Sequence, residues 1–135
     1  MTLFNSILKS VLTRRIKHIE RFMAHPLEVQ DVILKSLLER AKNTEYGKKY
    51  GFDSIKNLEE YRQRLPIHSY EDLFPQIDRM MRGEANILWP GVVTWFSKSS
   101  GTTNAKSKFI PVTKEALADC HYKGGKDLID RKSVV

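Results

Sequence analysis

Two short apolar runs, Val92-Val93-Thr94-Trp95-Phe96 and Phe109-Ile110-Pro111-Val112, bracket a stretch of small polar and basic residues, Ser97 to Lys108. β-Branched and aromatic runs of this length read as strands, so the region predicts strand, polar loop, strand. Glycine takes a positive φ at no steric cost, and the backbone amides around Gly101 are therefore free to turn toward a ligand. Ser99, Ser100, Thr102 and Thr103 offer hydroxyl donors, while Lys106 and Lys108 offer compact positive charges, and together they suit a phosphate. The same residue types also build ordinary surface turns. The loop departs from the Walker pattern, because Ala105 rather than glycine precedes Lys106-Ser107, and from the dinucleotide GxGxxG fingerprint.

Ahead of this hairpin the chain is patterned for helices. Leu3, Phe4, Ile7, Leu8, Val11, Leu12, Ile16, Ile19, Phe22 and Met23 recur at threes and fours and predict an amphipathic helix packed on a core. Its other positions carry Lys9, Arg14, Arg15, Lys17 and Arg21, so the same helix would also suit an anionic membrane surface. His25-Pro26 opens a second helix running to about Asn43, with Leu27, Val29, Val32, Ile33, Leu34, Leu37 and Leu38 on its apolar face. Thr44 to Gly51 reads as a turn-rich connector, and Tyr46, Tyr50 and Phe52 as packing residues.

Asn57 with Glu60, and Ser69 with Asp72, have the form of capping boxes, predicting one short helix ending at Leu65-Pro66 and another over 70–82 with Gly83 beyond it. Glu71, Asp72 and Asp78 are read as complements to helix dipoles rather than as acid–base groups, and His68 as a capping or packing residue. Trp89-Pro90-Gly91 turns the chain into the hairpin. After it, Thr113 caps a last helix toward Tyr122, with Gly124-Gly125 as its expected interruption. Cys120 and His121, being adjacent, cannot face each other on a helix as a catalytic pair.

A chain of 135 residues accommodates one moderate core and no complete second domain. Twenty-three Lys and Arg against 16 Asp and Glu leave a formal charge of +7, which favours anionic ligands at encounter. A single cysteine, Cys120, excludes an internal disulfide and fits a reducing compartment. No apolar run approaches the length of a membrane span, and the start of the chain lacks the uninterrupted apolar segment of a secretory signal. The expectation is a cytoplasmic protein.

The order Ser99-Ser100-Gly101-Thr102-Thr103, followed by Lys108 and Ile110-Pro111, resembles the first nucleotide-binding motif of adenylate-forming enzymes. More closely, it resembles the Gretchen Hagen family of auxin-responsive acyl-acid amido synthetases, in its bacterial branch. The likeness extends to Ala41–Gly47, Leu65–Leu73, Ile77–Glu84, Leu88–Gly91 and His121–Asp127, and so covers most of the chain from about Pro26.

The resemblance implies an α/β, mostly helical piece of an adenylate-forming domain: amino-terminal helices, then a strand–phosphate loop–strand hairpin, then a further helix. Residues 1–135 would be the amino-terminal part of a larger ATP-binding domain. It implies ATP with Mg2+, a small carboxylic acid activated as its acyl adenylate, and an amine acceptor. Ser99, Ser100, Gly101, Thr102 and Thr103 would cradle phosphate, with Lys108 as the motif lysine and Lys106 as an auxiliary charge.

It further implies a fragment, inactive alone, because the family's adenine contacts, acyl pocket and mobile domain lie downstream. The tail Leu128 to Val135 departs from the family pattern. Two readings remain beside it: a small basic module binding nucleic acid or an acidic membrane surface, and an acyl-CoA ligase-like fragment, which uses a similar loop and a thiol acceptor.

Overall fold

The computed structural model describes residues 16–99 and 107–125. Helix α1 covers 16–24 and α2 covers Pro26–Ala41, with Pro26 at the first helical position as its fixed φ allows. The apolar stripe does not make α1 a core helix. Ile16, Ile19, Phe22 and Met23 are all exposed, Met23 at 74%. The first part of that predicted helix, Leu3 to Leu12, lies outside the described residues. On α2 only Leu38 and Ala41 are buried, while Leu27, Val32, Ile33 and Leu37 face solvent. A 3.6-residue period states that an apolar face exists, but covering it requires a neighbour. Such neighbours reach α2 from α3 and from the turn that follows α3.

The stretch expected to be a loose connector is instead helix α3, Glu45–Tyr50. Thr44 caps it from a buried position, 1% exposed, donating its hydroxyl to the Ala41 carbonyl at 2.7 Å and accepting from the Gly47 amide at 2.9 Å. Gly47 looks like a turn signal but serves close approach: a Cβ there would sit 2.1 Å from the Ala41 oxygen. Two early α3 amides, which have no partner inside the helix, donate outward: Glu45 N–H to Asn86 at 2.8 Å and Tyr46 N–H to Ile87 at 3.1 Å. Gly51, at φ 62°, ends α3 with a left-handed residue and leads into a 3-10 turn over Phe52–Ser54.

Helix α4, Leu58–Arg64, starts at Asn57, whose side chain accepts from Glu60 N–H at 2.9 Å. Glu60 reaches back one residue further than a capping box requires, accepting from Lys56 N–H at 2.9 Å. Tyr46, Tyr50, Phe52 and His68 form an aromatic cluster beside it, with Tyr50 Oη and His68 Nε2 3.3 Å apart. Burial pushes the Tyr46 hydroxyl up to about 12, with Tyr50 adding to the shift.

Helix α5, Tyr70–Met81, has the full capping box at Ser69 and Asp72, and Gly83 follows it at φ 88°. Met80 packs with Ile87 and Val93 at the centre of the core, and Leu88, Trp89 and Phe96 pack around them. Arg79 joins α5 to α3 through a two-pronged contact with Glu45, at 2.9 and 2.7 Å, and also holds Glu84.

The turn before the hairpin is closed by Asn86, at φ 61°, whose side chain accepts from the Gly91 amide at 2.8 Å. A short polar side chain tolerates that left-handed geometry. Val93 enters the core, and strand β1 starts later than its apolar run, covering Trp95–Lys98, because its partner strand ends at Val112, where Thr113 caps the next helix. It pairs antiparallel with β2, Phe109–Val112, in the register Trp95 to Val112 and Lys98 to Phe109.

Thr113 then caps α6, Lys114–Ala116, which widens into a π-helical turn over Leu117–Tyr122. The expected interruption at Gly124-Gly125 does not occur, since both remain helical. A glycine in a helix costs only about 1 kcal/mol. Glu115 ties this end to the rest, accepting from Trp89 Nε1–H at 3.2 Å and lying 3.6 Å from Arg40, whose guanidinium stands 5.9 Å from the Trp89 ring centre. The described residues are thus mostly helical with one small antiparallel sheet. None of their helices is long and apolar enough to cross a membrane.

Candidate functional site

The predicted phosphate loop leaves β1 after Lys98 and returns at β2, so its position is set by the neck of the hairpin. One further rung extends the ladder there: Ser99 N–H donates to the Lys108 carbonyl at 2.9 Å. In return, Lys108 N–H donates to the Ser99 hydroxyl oxygen at 3.1 Å. Ser99 therefore locks the neck with its oxygen, and among the described residues its own O–H meets no acceptor and can be offered to a ligand. Ser99 and Lys108, far apart in the predicted loop, become direct neighbours. Ser100, Gly101, Thr102, Thr103 and Lys106 lie outside the described residues.

Helix α5 supports the neck from below. Its capping box is tight, with Asp72 accepting from the Ser69 amide and the Ser69 hydroxyl, both at 2.8 Å. The bond from the Ser69 backbone, followed by that from its hydroxyl, holds the Asp72 carboxyl below the usual carboxylate range. This fixes the first turn of α5 and with it Tyr70 and Glu71. The Tyr70 oxygen accepts from Phe109 N–H at 2.9 Å, joining the helix start to β2. Lys108 lays its ammonium over the Tyr70 ring, 5.0 Å from the centre, and lies 3.6 Å from a Glu71 carboxylate oxygen.

Sequence reasoning missed both of these partners. Tyr70 was only the start of a helix and Glu71 only a dipole complement. Nothing in local spacing links residues 70 and 109, so only the packing of α5 against β2 brings them together. Asp78 meets Arg82, and Asp72 is consumed by its cap, so neither stands as a free acid–base group. Cys120 is exposed, as is His121.

Chemically, the neck pairs a hydroxyl-bearing and an ammonium-bearing residue across the two strands, at the mouth of a loop rich in hydroxyl residues. That donor set fits an oligophosphate, whose oxygens accept from both. It fits a divalent cation less directly. Among the described residues no group of three His, Cys, Asp or Glu side chains could hold a metal, and Glu71 already faces Lys108. Magnesium brought by a nucleotide would rest mainly on the phosphates themselves, as that ion commonly does.

Comparison with known proteins adds an independent line. Residues 15–132 match the GH3 family N-terminal domain. Indole-3-acetic acid-amido synthetase GH3.2 of Arabidopsis thaliana is 34% identical over 105 residues, 77% of this chain and 19% of that protein. Indole-3-acetic acid-amido synthetase GH3.4 of the same plant is 32% identical over 105 residues, 77% and 18% of the two chains. Its synthetase GH3.6 is 29% identical over 104 residues, 76% and 17%. The chain thus spans less than a fifth of the length of these relatives.

Proposed function

The chain belongs to the GH3 family, and from that premise we propose that it is the amino-terminal portion of an ATP-dependent acyl-acid amido synthetase and carries part of its phosphate site. The reaction it would serve joins a small carboxylic acid to an amine by way of an acyl adenylate. Relatives named as amido synthetases support an amine over a thiol as acceptor. The observation that carries the site assignment is the hairpin neck, where Ser99 and Lys108 are paired across the two strands.

Bringing a carboxylate to the α-phosphate of ATP sets two anions against each other, and a site must neutralise charge and hold the groups in line. Lys108 supplies the charge at the neck. The Ser99 hydroxyl, with its oxygen already engaged, offers its proton to a phosphate oxygen in a fixed direction. Ser100, Gly101, Thr102, Thr103 and Lys106 would complete the cradle. Magnesium, bound with the nucleotide, would supply further neutralisation of the phosphates. The adenine pocket and the acyl and amine sites belong to the remainder of a protein of the relatives' length.

Titration with MgATP of the chain extended to the length of its relatives, alongside Lys108→Ala and the double variant Ser100→Ala/Thr102→Ala, tests the assignment. Loss of a charge-assisted contact should weaken binding by about tenfold for Lys108→Ala. Unchanged affinity in all variants would remove the loop from the nucleotide site. ATP–pyrophosphate exchange should be absent with this chain and present when it is extended to the length of its relatives.

A further inference from the structure

Lys108 and Phe109 are consecutive residues, and one side chain holds both. The Tyr70 hydroxyl oxygen receives the Phe109 amide at 2.9 Å while the face of the same ring lies 5.0 Å beneath the Lys108 ammonium. We propose that Tyr70 is a positioning residue for Lys108: it sets the place from which that ammonium meets a phosphate. The proposal rests on the nucleotide reading above.

A lysine side chain is long, and ordering it on ligand binding carries a large loss of rotamer freedom. At this neck the order is supplied beforehand. The capping box at Ser69 and Asp72 fixes the start of α5, and Phe74, 5.8 Å from the Tyr70 ring centre, restricts the ring further. The hydroxyl tether then pins the far end of the ring to the backbone of β2. A ring held at both ends presents its face at one place, one residue away from the tether, and Lys108 lies on that face.

The choice of an aromatic support has a chemical consequence. A carboxylate partner would occupy the ammonium's donors and cancel its charge. A π face attracts the cation through its quadrupole and leaves the N–H groups free to turn to another acceptor. Glu71 does provide a carboxylate at 3.6 Å, but it is 72% exposed, and such a pair contributes little in water. Phosphate would displace Glu71 while the ring stays in place.

Two readouts test this, the first on the chain itself and the second on the chain extended to the length of its relatives. In proton NMR, the Lys108 ε-methylene signal should be shifted upfield by the Tyr70 ring current, retained in Tyr70→Phe and lost in Tyr70→Leu. In MgATP titrations, Tyr70→Leu should weaken binding about threefold, the scale of an exposed cation–π contact, and Tyr70→Phe less than that. In a Lys108→Ala background Tyr70→Leu should cause no further loss, because there is no ammonium left to place.

Equal losses in both backgrounds would make Tyr70 a merely structural residue and overturn the proposal. An unshifted ε-methylene in the unmodified chain would overturn the placement. If that signal is shifted but the extended chain binds MgATP equally well after Lys108→Ala, the nucleotide reading falls and takes the role of Tyr70 in binding with it, while the contact itself stands. Should Tyr70→Leu not fold, Tyr70→Met, which fills space without a π face, carries the same cycle.

Discussion

Along α5, Ile77 and Met80 are buried, and Met80 packs with Ile87 and Val93. Along α1 and α2, Ile19, Met23, Leu27, Val32 and Ile33 stand in solvent. Both regions carry apolar residues at threes and fours, so the sequence signal is of the same kind. They differ in what the chain brings back to them. The loop through Ile87 and the residues leading into β1 return over α5, whereas contacts onto α2 cluster near its carboxy-terminal end, where Leu38 and Ala41 are buried. Burying a methionine side chain contributes roughly 2 kcal/mol, and an exposed one contributes next to nothing. Stability should therefore be concentrated where α3, α5 and the hairpin converge.

The contrast is sharpest at its two extremes. Met80→Ala should lower unfolding free energy by about 3 kcal/mol in urea denaturation, the usual loss for emptying a core position. Gly47→Ala should cost about 2 kcal/mol by the same measurement, since its methyl would meet the Ala41 carbonyl rather than a yielding side chain. If that variant is neutral, α3 is not held against the end of α2 as described.

Ser69→Ala removes one half of the capping box and should cost about 1 kcal/mol. It should also loosen β2, seen as faster amide exchange at Phe109, because Tyr70 is the next residue along.

A pH-confined effect follows from Tyr46. Its hydroxyl titrates higher in the folded chain than in the unfolded one, so the stabilisation is complete below about pH 10 and is lost as pH rises toward about 12. Denaturation followed through that window should show a decline that Tyr46→Phe lessens. The smallest effect is expected at the other pole, where Met23→Ser should change stability by less than about 0.5 kcal/mol. A loss there as large as that of Met80→Ala would mean that α1 has a packing partner, and the contrast between the regions would vanish.

Much of the local structure was legible because its causes are local. Pro26 at the start of α2, Asn57 before α4, the Ser69–Asp72 box and Thr113 before α6 each act on backbone groups within four residues. The hairpin was legible from its apolar flanks, although β1 begins only at Trp95 because its partner strand gives way to a helix after Val112. Helix α3 was not legible. Its glycine resembles a turn residue, and two of its early amides are satisfied by Asn86 and Ile87, some forty residues downstream. Likewise the loop residues Ser99 and Lys108 were identifiable by type, but their support by Tyr70 and Glu71 was not.

What the order of amino acids determined by itself is the set of short-range decisions: where helices begin and end, which residues flank the polar loop, and which chemistry that loop offers. Those follow from hydrogen bonds and steric limits acting between neighbours in the chain. Which apolar face is covered, why Gly47 must lack a side chain, and where the Lys108 ammonium rests were decided only by tertiary structure. Each depends on atoms from distant positions meeting within a few ångströms, and no local pattern records that distance.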